Sequence, residues 1–343
     1  MKIQLSGYFD RNFGDDVMQL ILVNSMPEHE FYVAGVPQEF LGHFDGCQNV
    51  RICRELPEID AAVNVIGSGF QFHSRMAQVS KLLAILHEKR FPCAKTAVLD
   101  CSADAPERAL ERWLMKRELK KYGLISCRDQ KSEKIMSELA GSSTVVCHED
   151  LVFSLSPEWI LPRTGEGCLG VIPVYRQYFD GNYEFFLQTA KACDLYVQTH
   201  GKKTLIFAFD TGTENDLLAA MTIRRLMKYR EAAEVIAYDS RPEEIFRHLA
   251  RCESVISTRF HGVIAALLAG VPAAAVSDTS KLDILSEKLG FLRIPKKGLT
   301  AEALTGLIEK TDTPIRIPEE LRKNAGGHLE ELKHYLESRV DQK

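Results

Sequence analysis

Short β-branched runs alternate with longer amphipathic segments along most of the chain. KIQLSG (2–7), FYVAGV (31–36), AAVNVIG (61–67), KTAVLDC (95–101), LISC (124–127) and STVVCH (143–148) read as strands. Apolar residues at helical spacing fill 15–26, 76–90, 105–122 and 129–140 between several of them. Strand then helix, repeated, predicts a parallel sheet covered by helices on both faces. FSLSPEWILPRTGEG (153–167) has no sustained period and gathers Pro162, Gly165 and Gly167 toward its end, which places a linker there. The alternation then restarts. CLGVIPV (168–174), KTLIFAF (203–209), EVIAY (234–238), SVIST (254–258) and PAAAVS (272–277) read as strands, and 182–200, 214–229, 242–252 and 262–270 as helices. The expected fold class is therefore α/β, with two doubly wound, Rossmann-like domains facing a cleft. Their expected bounds are 1–156 and 168–300, with a helical tail over 301–343.

Composition narrows this picture. A chain of 343 residues suits two domains of ordinary size. The net charge of −4 supplies no basic footprint, so nucleic acid is not an expected partner. No continuous apolar run is long enough to span a bilayer, and MKIQLSGYF lacks a signal peptide's charged-then-apolar plan, so a cytoplasmic protein is expected. The nine cysteines are odd in number, fall inside strand-like or helix-like runs and form no CxxC pair. Buried reduced thiols fit that pattern better than a disulfide framework. No metal-ligand cluster is visible, so no metal is expected.

In doubly wound sheets ligands bind beyond the carboxyl ends of the strands, so the loops there are the candidates for chemistry. GYFDRNFGDD (7–16) leads from the first strand into a helix whose N-terminus is a partial positive site. Its glycine spacing is not GxGxxG, and Asp15 or Asp16 either caps that helix or accepts hydrogen bonds from a ligand hydroxyl. In IGSGFQFHS (66–74) two glycines, Gly67 and Gly69, suggest that a ligand or another backbone passes close, with Phe72 and His73 alongside. In SCRDQKS (126–132) Asp129 reads as a helix cap, whereas Arg128 ends a short buried strand, where a cation suits an anion better than it suits packing. In IPVYRQYFDG (172–181) Arg176 follows Tyr175 and is expected to face Arg128 across the cleft.

STRFHG (257–262) concentrates the most chemistry. Its bland reading makes His261 a helix cap and Arg259 a solvated turn residue. Against that, a helix N-terminus, a guanidinium and an imidazole coincide, and all three favour an anion. The helix N-terminus disfavours a second positive charge on the imidazole, whereas a bound dianion favours it. The site thus looks built to become acidic when an anionic substrate is present. Further along, Lys281, near Asp278 and Ser280, reads equally as a phosphate ligand or a solvated helix residue. Glu243 and Glu244 sit in a helical first turn, where carboxylates meet the helix dipole favourably.

Taken in order, GYFDRNFGDD, IGSGFQ, SCRDQKS, EDLVFSL and VISTRFHGVIAALLAGVPAAAVSDTSKLDIL resemble the polysaccharide pyruvyl transferase family. The likeness runs from the first strand to Gly290. It is carried by N-x-G-D near the start, S-x-R-D in the middle and Arg-hydrophobic-His-small near the end. The resemblance implies the two-domain GT-B fold. It also implies transfer of the pyruvyl group of phosphoenolpyruvate onto two hydroxyls of a sugar, giving a cyclic ketal and releasing phosphate. It carries the family's donor-binding arginines to Arg128 and Arg259, its histidine to His261 and its first-loop aspartate to Asp15. Phe260 stands where leucine is usual, and the first loop is slightly shorter than the common form, a departure that bears on acceptor choice.

The residues suit that chemistry. A donor with a carboxylate and a phosphate needs two or more cations and helix N-terminal amides. His261 is the expected general acid, protonating the methylene carbon, and Asp15 the group that positions or deprotonates an acceptor hydroxyl. Arg128, Arg259, Phe260, Arg176 and Lys281 are the expected donor side; Asn12, Asp15 and Gly69 are the acceptor side. No cofactor is expected beyond phosphoenolpyruvate as donor substrate. The expected acceptor is a sugar of a cell-surface polysaccharide or its lipid-linked or nucleotide-activated precursor, met in the cytoplasm or at the inner membrane surface by peripheral contact. Nothing in the sequence indicates an oligomeric state. Two competing readings are a GT-B glycosyltransferase using a nucleotide sugar and a non-enzymatic binding protein with a silent cleft.

Overall fold

The computed structural model describes residues 1–67, 70, 93, 95–175 and 182–338. The chain divides into two compact units. The first comprises Met1–Phe9, Val17–Ser154 and the C-terminal segment from Glu319; the second comprises Asp10–Asp16 and Leu155–Pro318.

The first unit is built on a parallel sheet of β1 (Lys2–Gly7), β2 (Glu30–Ala34), β3 (Val50–Cys53), β4 (Ala61–Val65), β5 (Lys95–Cys101), β6 (Leu124–Cys127) and β7 (Thr144–Cys147). The strands lie in the order β3-β2-β1-β4-β5-β6-β7. Its helices include α1 (Phe13–Ser25), whose first turn groups with the second unit, α2 (Ala109–Leu119) and α3 (Gln130–Leu139). Asp129 caps α3, its carboxylate accepting the Ser132 N–H at 2.8 Å.

The second unit holds a parallel sheet of β8 (Cys168–Ile172), β9 (Thr204–Ala208), β10 (Ala233–Ala237), β11 (Cys252–Ser257), β12 (Ala273–Val276) and β13 (Arg293–Ile294), in the order β10-β9-β8-β11-β12-β13. The helices are α4 (Asn182–His200), α5 (Asp216–Leu226), α6 (Pro242–Leu249), α7 (Phe260–Leu268), α8 (Ser280–Leu289) and α9 (Ala301–Lys310). β8, β9 and β12 are buried on both faces and so read as continuous apolar runs instead of alternating ones. The strand order turns back between β1 and β4 in one sheet and between β8 and β11 in the other. Those are the positions where such sheets take ligands.

The expected tail over 301–343 is not one element. Leu304, Leu307 and Ile308 of α9 join the core of the second unit. The helix α10 (Glu319–Glu337) belongs to the first, where Leu321, Ala325, Leu329, Leu332 and Leu336 form a buried stripe at three- and four-residue steps. The 1–156 boundary also shifts, because Asp10–Asp16 group with the second unit. All nine cysteines are free. The helix expected over 76–90 lies outside the described residues.

Candidate active site

In the second unit, the loops after β8, β9 and β11 meet around Asp216, the first residue of α5, which is fully buried. Arg259 follows β11 and grips Asp216 with two parallel bonds, Nε to Oδ2 at 2.6 Å and Nη2 to Oδ1 at 2.7 Å. The same carboxylate accepts the Tyr175 N–H from the loop after β8 at 3.0 Å and the Asp210 N–H from the end of β9 at 3.1 Å. A forked guanidinium on a carboxylate is the strong form of this bond. The third contact of Arg259 is different: Nη1 reaches Glu214 Oε2 at 2.5 Å, and that glutamate is 50% exposed while Arg259 is 13% exposed. Burial disfavours the charge of Arg259, but Asp216 and Glu214 more than offset it and hold the guanidinium protonated.

Asp210 closes the arrangement from beneath. Its Oδ1 accepts N–H groups from Gly212 at 3.0 Å, Glu214 at 3.2 Å and Asn215 at 3.3 Å, and its Oδ2 accepts Asn12 Nδ2 at 3.1 Å. Burial pushes Asp210 up to about 6, against the pull of Arg259. Asn215, at φ 52° in the left-handed region, turns this loop into α5 and caps it.

Helix α7 begins two residues before its expected start. Arg259 is its N-cap in extended backbone, Phe260 its first residue and His261 its second, so His261 is not the cap. A helix N-terminus at this place carries partial positive charge. The His261 ring lies against Gly14: a Cβ built there would fall 1.9 Å from His261 Nδ1, so only glycine leaves room. Gly262 is tight for the same kind of reason, with a built Cβ 2.4 Å from Ser257 Oγ. Phe260 stands edge-on to the imidazole, ring centroids 5.4 Å apart.

The first loop supplies the remaining wall. Asn12, not an aspartate, caps α1: its Oδ1 accepts the Gly14 N–H at 3.0 Å and the Asp15 N–H at 3.4 Å. With Nδ2 on Asp210, its side chain serves the protein at both ends. Asp15 sits half-buried in the first turn of α1. Asp16 is fully buried, accepts the Tyr238 hydroxyl at 2.7 Å and is pushed well above the ordinary carboxylate range by that burial. Lys281 is the second residue of α8 and half-buried, while Asp278 accepts the Lys296 and Lys297 N–H groups at 3.0 and 3.2 Å.

Arg128 belongs to the first unit and is a buried hub. Its side chain is 6% exposed, and Nη1 lies 3.0 Å from Asp150 and 3.8 Å from Asp100, both buried. This strand-end cation is thus paired with carboxylates of the protein. Asp100, at φ 56°, also accepts the Leu151 N–H at 2.9 Å. His328, from α10, lies 3.3 Å from Asp100, bonds the Glu149 carbonyl at 2.9 Å and bonds Ser126 Oγ at 2.6 Å. Because a carbonyl only accepts, Nε2 carries a proton. Ser126, His328 and Asp100 thus stand in the order of a hydrolytic triad, but all three are fully buried and hold α10 to the sheet.

Gly69 and Arg176, with Phe72 and His73, lie outside the described residues. The structure brings Arg259, Phe260 and His261 together with Asn12 and Asp15 in one unit. Asp210, Glu214 and Asp216 escaped the sequence reading. Their signal was present in FAFDTGTEND, an aspartate directly after a buried strand followed by turn residues and a second aspartate opening a helix. Among the described residues, no group of three or more His, Cys, Asp or Glu is placed to hold a metal ion. No helix among them is long and apolar enough to cross a membrane.

A family profile described as polysaccharide pyruvyl transferase matches residues 12–280. No curated protein sequence matches the chain. Among solved structures, UDP-GlcNAc 2-epimerase from Neisseria meningitidis bound to UDP-GlcNAc superposes with TM-score 0.64 at 10% identity, over 97% of this chain and 100% of that one. A putative UDP-N-acetylglucosamine 2-epimerase from Listeria monocytogenes gives 0.61 at 13% identity, over 98% and 97%. A glycosyltransferase from Rickettsia africae gives 0.57 at 11% identity, over 97% of each. At these identities the likeness shows the fold: two Rossmann-like domains of the GT-B type.

Proposed function

Since the chain belongs to the polysaccharide pyruvyl transferase family, we propose that it moves the pyruvyl group of phosphoenolpyruvate onto two hydroxyls of a sugar and releases phosphate. The observation that carries this reading is the Arg259–Phe260–His261 start of α7, beside the turning point of the second sheet. His261 gives its proton to the methylene carbon of the donor, which makes a cation at the adjacent carbon. One acceptor hydroxyl attacks that carbon and loses its proton. Phosphate then leaves, and the second hydroxyl attacks the same carbon and loses its proton, which closes the ketal. Protonation by a placed imidazole contributes about 10²–10⁴-fold.

Arg259 is the donor's cation. Asp216 fixes its fork from the buried side, and the donor's anionic group takes the place of the half-exposed Glu214. Substrate binding then swaps one carboxylate for another and leaves the guanidinium oriented throughout. Lys281 and Phe260 complete the donor side of this reading; Asp15 is its acceptor-side carboxylate. Arg128, shielded and paired with Asp150 and Asp100, holds the first unit together instead of touching the donor. The acceptor in this reading is a lipid-linked or nucleotide-activated precursor of a cell-surface polysaccharide, met in the cytoplasm.

The test is phosphate release from phosphoenolpyruvate with a panel of such sugars, followed together with acceptor mass. A gain in acceptor mass equal to one pyruvyl ketal, lost in His261→Ala, is the expected result. Full activity in His261→Ala removes the general acid from the scheme. Stabilisation by UDP and not by phosphoenolpyruvate replaces the reading with a nucleotide-sugar transferase.

A further inference from the structure

Helix α2 of the first unit separates its charges by face. Its inner side buries Leu114, Met115 and Leu119, and both of its acids lie on that side. Glu111 accepts the Glu107 and Arg108 N–H groups at 2.8 and 3.3 Å, and Glu118 pairs with Lys121 at 2.8 Å. The outer side carries Leu110, Arg112, Trp113, Lys116 and Arg117, continued by Lys120 one residue past the helix, all of them exposed. Trp113, Lys116, Arg117 and Lys120 follow steps of three, four and seven and so share one face. No carboxylate of α2 stands among them. In a chain of net charge −4 this concentration of cations runs against the average.

Two large apolar groups lie within the basic face: Trp113 is 48% and Leu110 40% exposed, and the Arg117 guanidinium sits 5.7 Å from the Trp113 ring centroid. We propose that this outer face of α2 docks the protein on an anionic phospholipid surface. Cations at headgroup level meet lipid phosphates, while an indole and a leucine beside them enter the boundary with the acyl chains. A nucleic-acid backbone offers the cations the same charge but gives Trp113 and Leu110 no apolar layer to enter. The face would bring the protein to the leaflet where a lipid-linked acceptor resides. It stands on the helix alone, and its test needs neither donor nor turnover.

The test is co-sedimentation of the full chain with vesicles of phosphatidylcholine alone or mixed with phosphatidylglycerol. Binding to the mixed vesicles only, weakened by salt, is expected. Each cation near such a surface strengthens binding by about fivefold, so replacing Arg112, Lys116, Arg117 and Lys120 by Gln together lowers affinity on the order of several hundredfold. Trp113→Ser with Leu110→Ser lowers it while leaving the charge intact. These side chains are exposed, so circular dichroism should match the parent chain. Absence of binding to anionic vesicles by the parent overturns the proposal. Equal binding by the fourfold variant, or capture by duplex RNA that vesicles fail to displace, does so as well.

Discussion

Arg128 and Arg259 look alike in sequence, each closing a short apolar strand and opening onto a helix, yet their surroundings differ. Arg128 follows β6, two strands beyond the turning point of its sheet; Arg259 follows β11, which pairs directly with β8 at the turning point of the other. The first is closed over by Asp150, Asp100 and a helix from the far end of the chain. The second is fixed by one buried aspartate and, among the described residues, paired outward with a half-exposed glutamate, with an imidazole two residues on. In the proposed function a strand-end cation therefore becomes a ligand group according to its strand's place in the sheet. Its immediate neighbours in sequence do not decide the matter.

Removing each arginine should separate the two roles. Arg128→Ala leaves two buried carboxylates without their cation, and breaking a buried pair this way costs about 3–5 kcal/mol. Urea unfolding should show that loss; a variant that is equally stable but inactive would give Arg128 a place at the substrate. On the other side, His261→Ala should lower phosphate release by about 10²–10⁴-fold while unfolding stays within about 1 kcal/mol of the parent. A large stability loss there would make His261 a packing residue against Gly14.

Asp210 supplies a smaller, pH-dependent effect. Burial raises it from 3.8 to about 6, so the folded chain keeps this proton to a higher pH than the unfolded chain does. Its favourable contribution is complete below about pH 4 and is lost as the pH rises through about 6. Asp210→Asn stays neutral throughout, so its stability relative to the parent should improve by about 3 kcal/mol between pH 4 and pH 7. A difference that does not change with pH would show that the N–H groups of Gly212, Glu214 and Asn215 keep Asp210 ionised. The smallest effect expected is at Glu214. Its replacement by Gln removes a competitor for Arg259 and should tighten phosphoenolpyruvate binding by about fivefold, the size of one charge-assisted bond at a partly exposed site. Weaker binding would instead make Glu214 a support for the guanidinium.

Much of the architecture was legible because buried parallel strands leave nearly continuous apolar runs: KTAVLDC, LISC and CLGVI all became strands, and KIQLSG did so through its alternation. β3 was missed because VRIC is a short edge strand whose Arg51 and Ile52 are exposed, and β13 because two residues carry no period. The tail was misread because the features that divide it are distant. His328 bonds Ser126 and lies beside Asp100, roughly two hundred residues earlier in the chain. The strand-end rule singled out Arg259 and His261 as candidates, and their place at the sheet's turning point follows from the strand order. It gave Arg128 the same standing, because Asp150 looks like an ordinary loop acid until the chain folds. Asn12 was placed in the right loop, but its cap on α1 and its bond to Asp210 join residues far apart in sequence.

The most direct trial of the donor site is calorimetric titration of phosphoenolpyruvate into the parent chain, Arg259→Lys and Arg128→Lys, each checked for intact folding. Lysine keeps the charge but loses the fork that Asp216 orients. The parent and Arg128→Lys should bind alike, and Arg259→Lys about tenfold or more weaker, the size of one or two charge-assisted bonds. Unchanged binding by Arg259→Lys, or its loss in a folded Arg128→Lys, would place the donor's anion away from the start of α7.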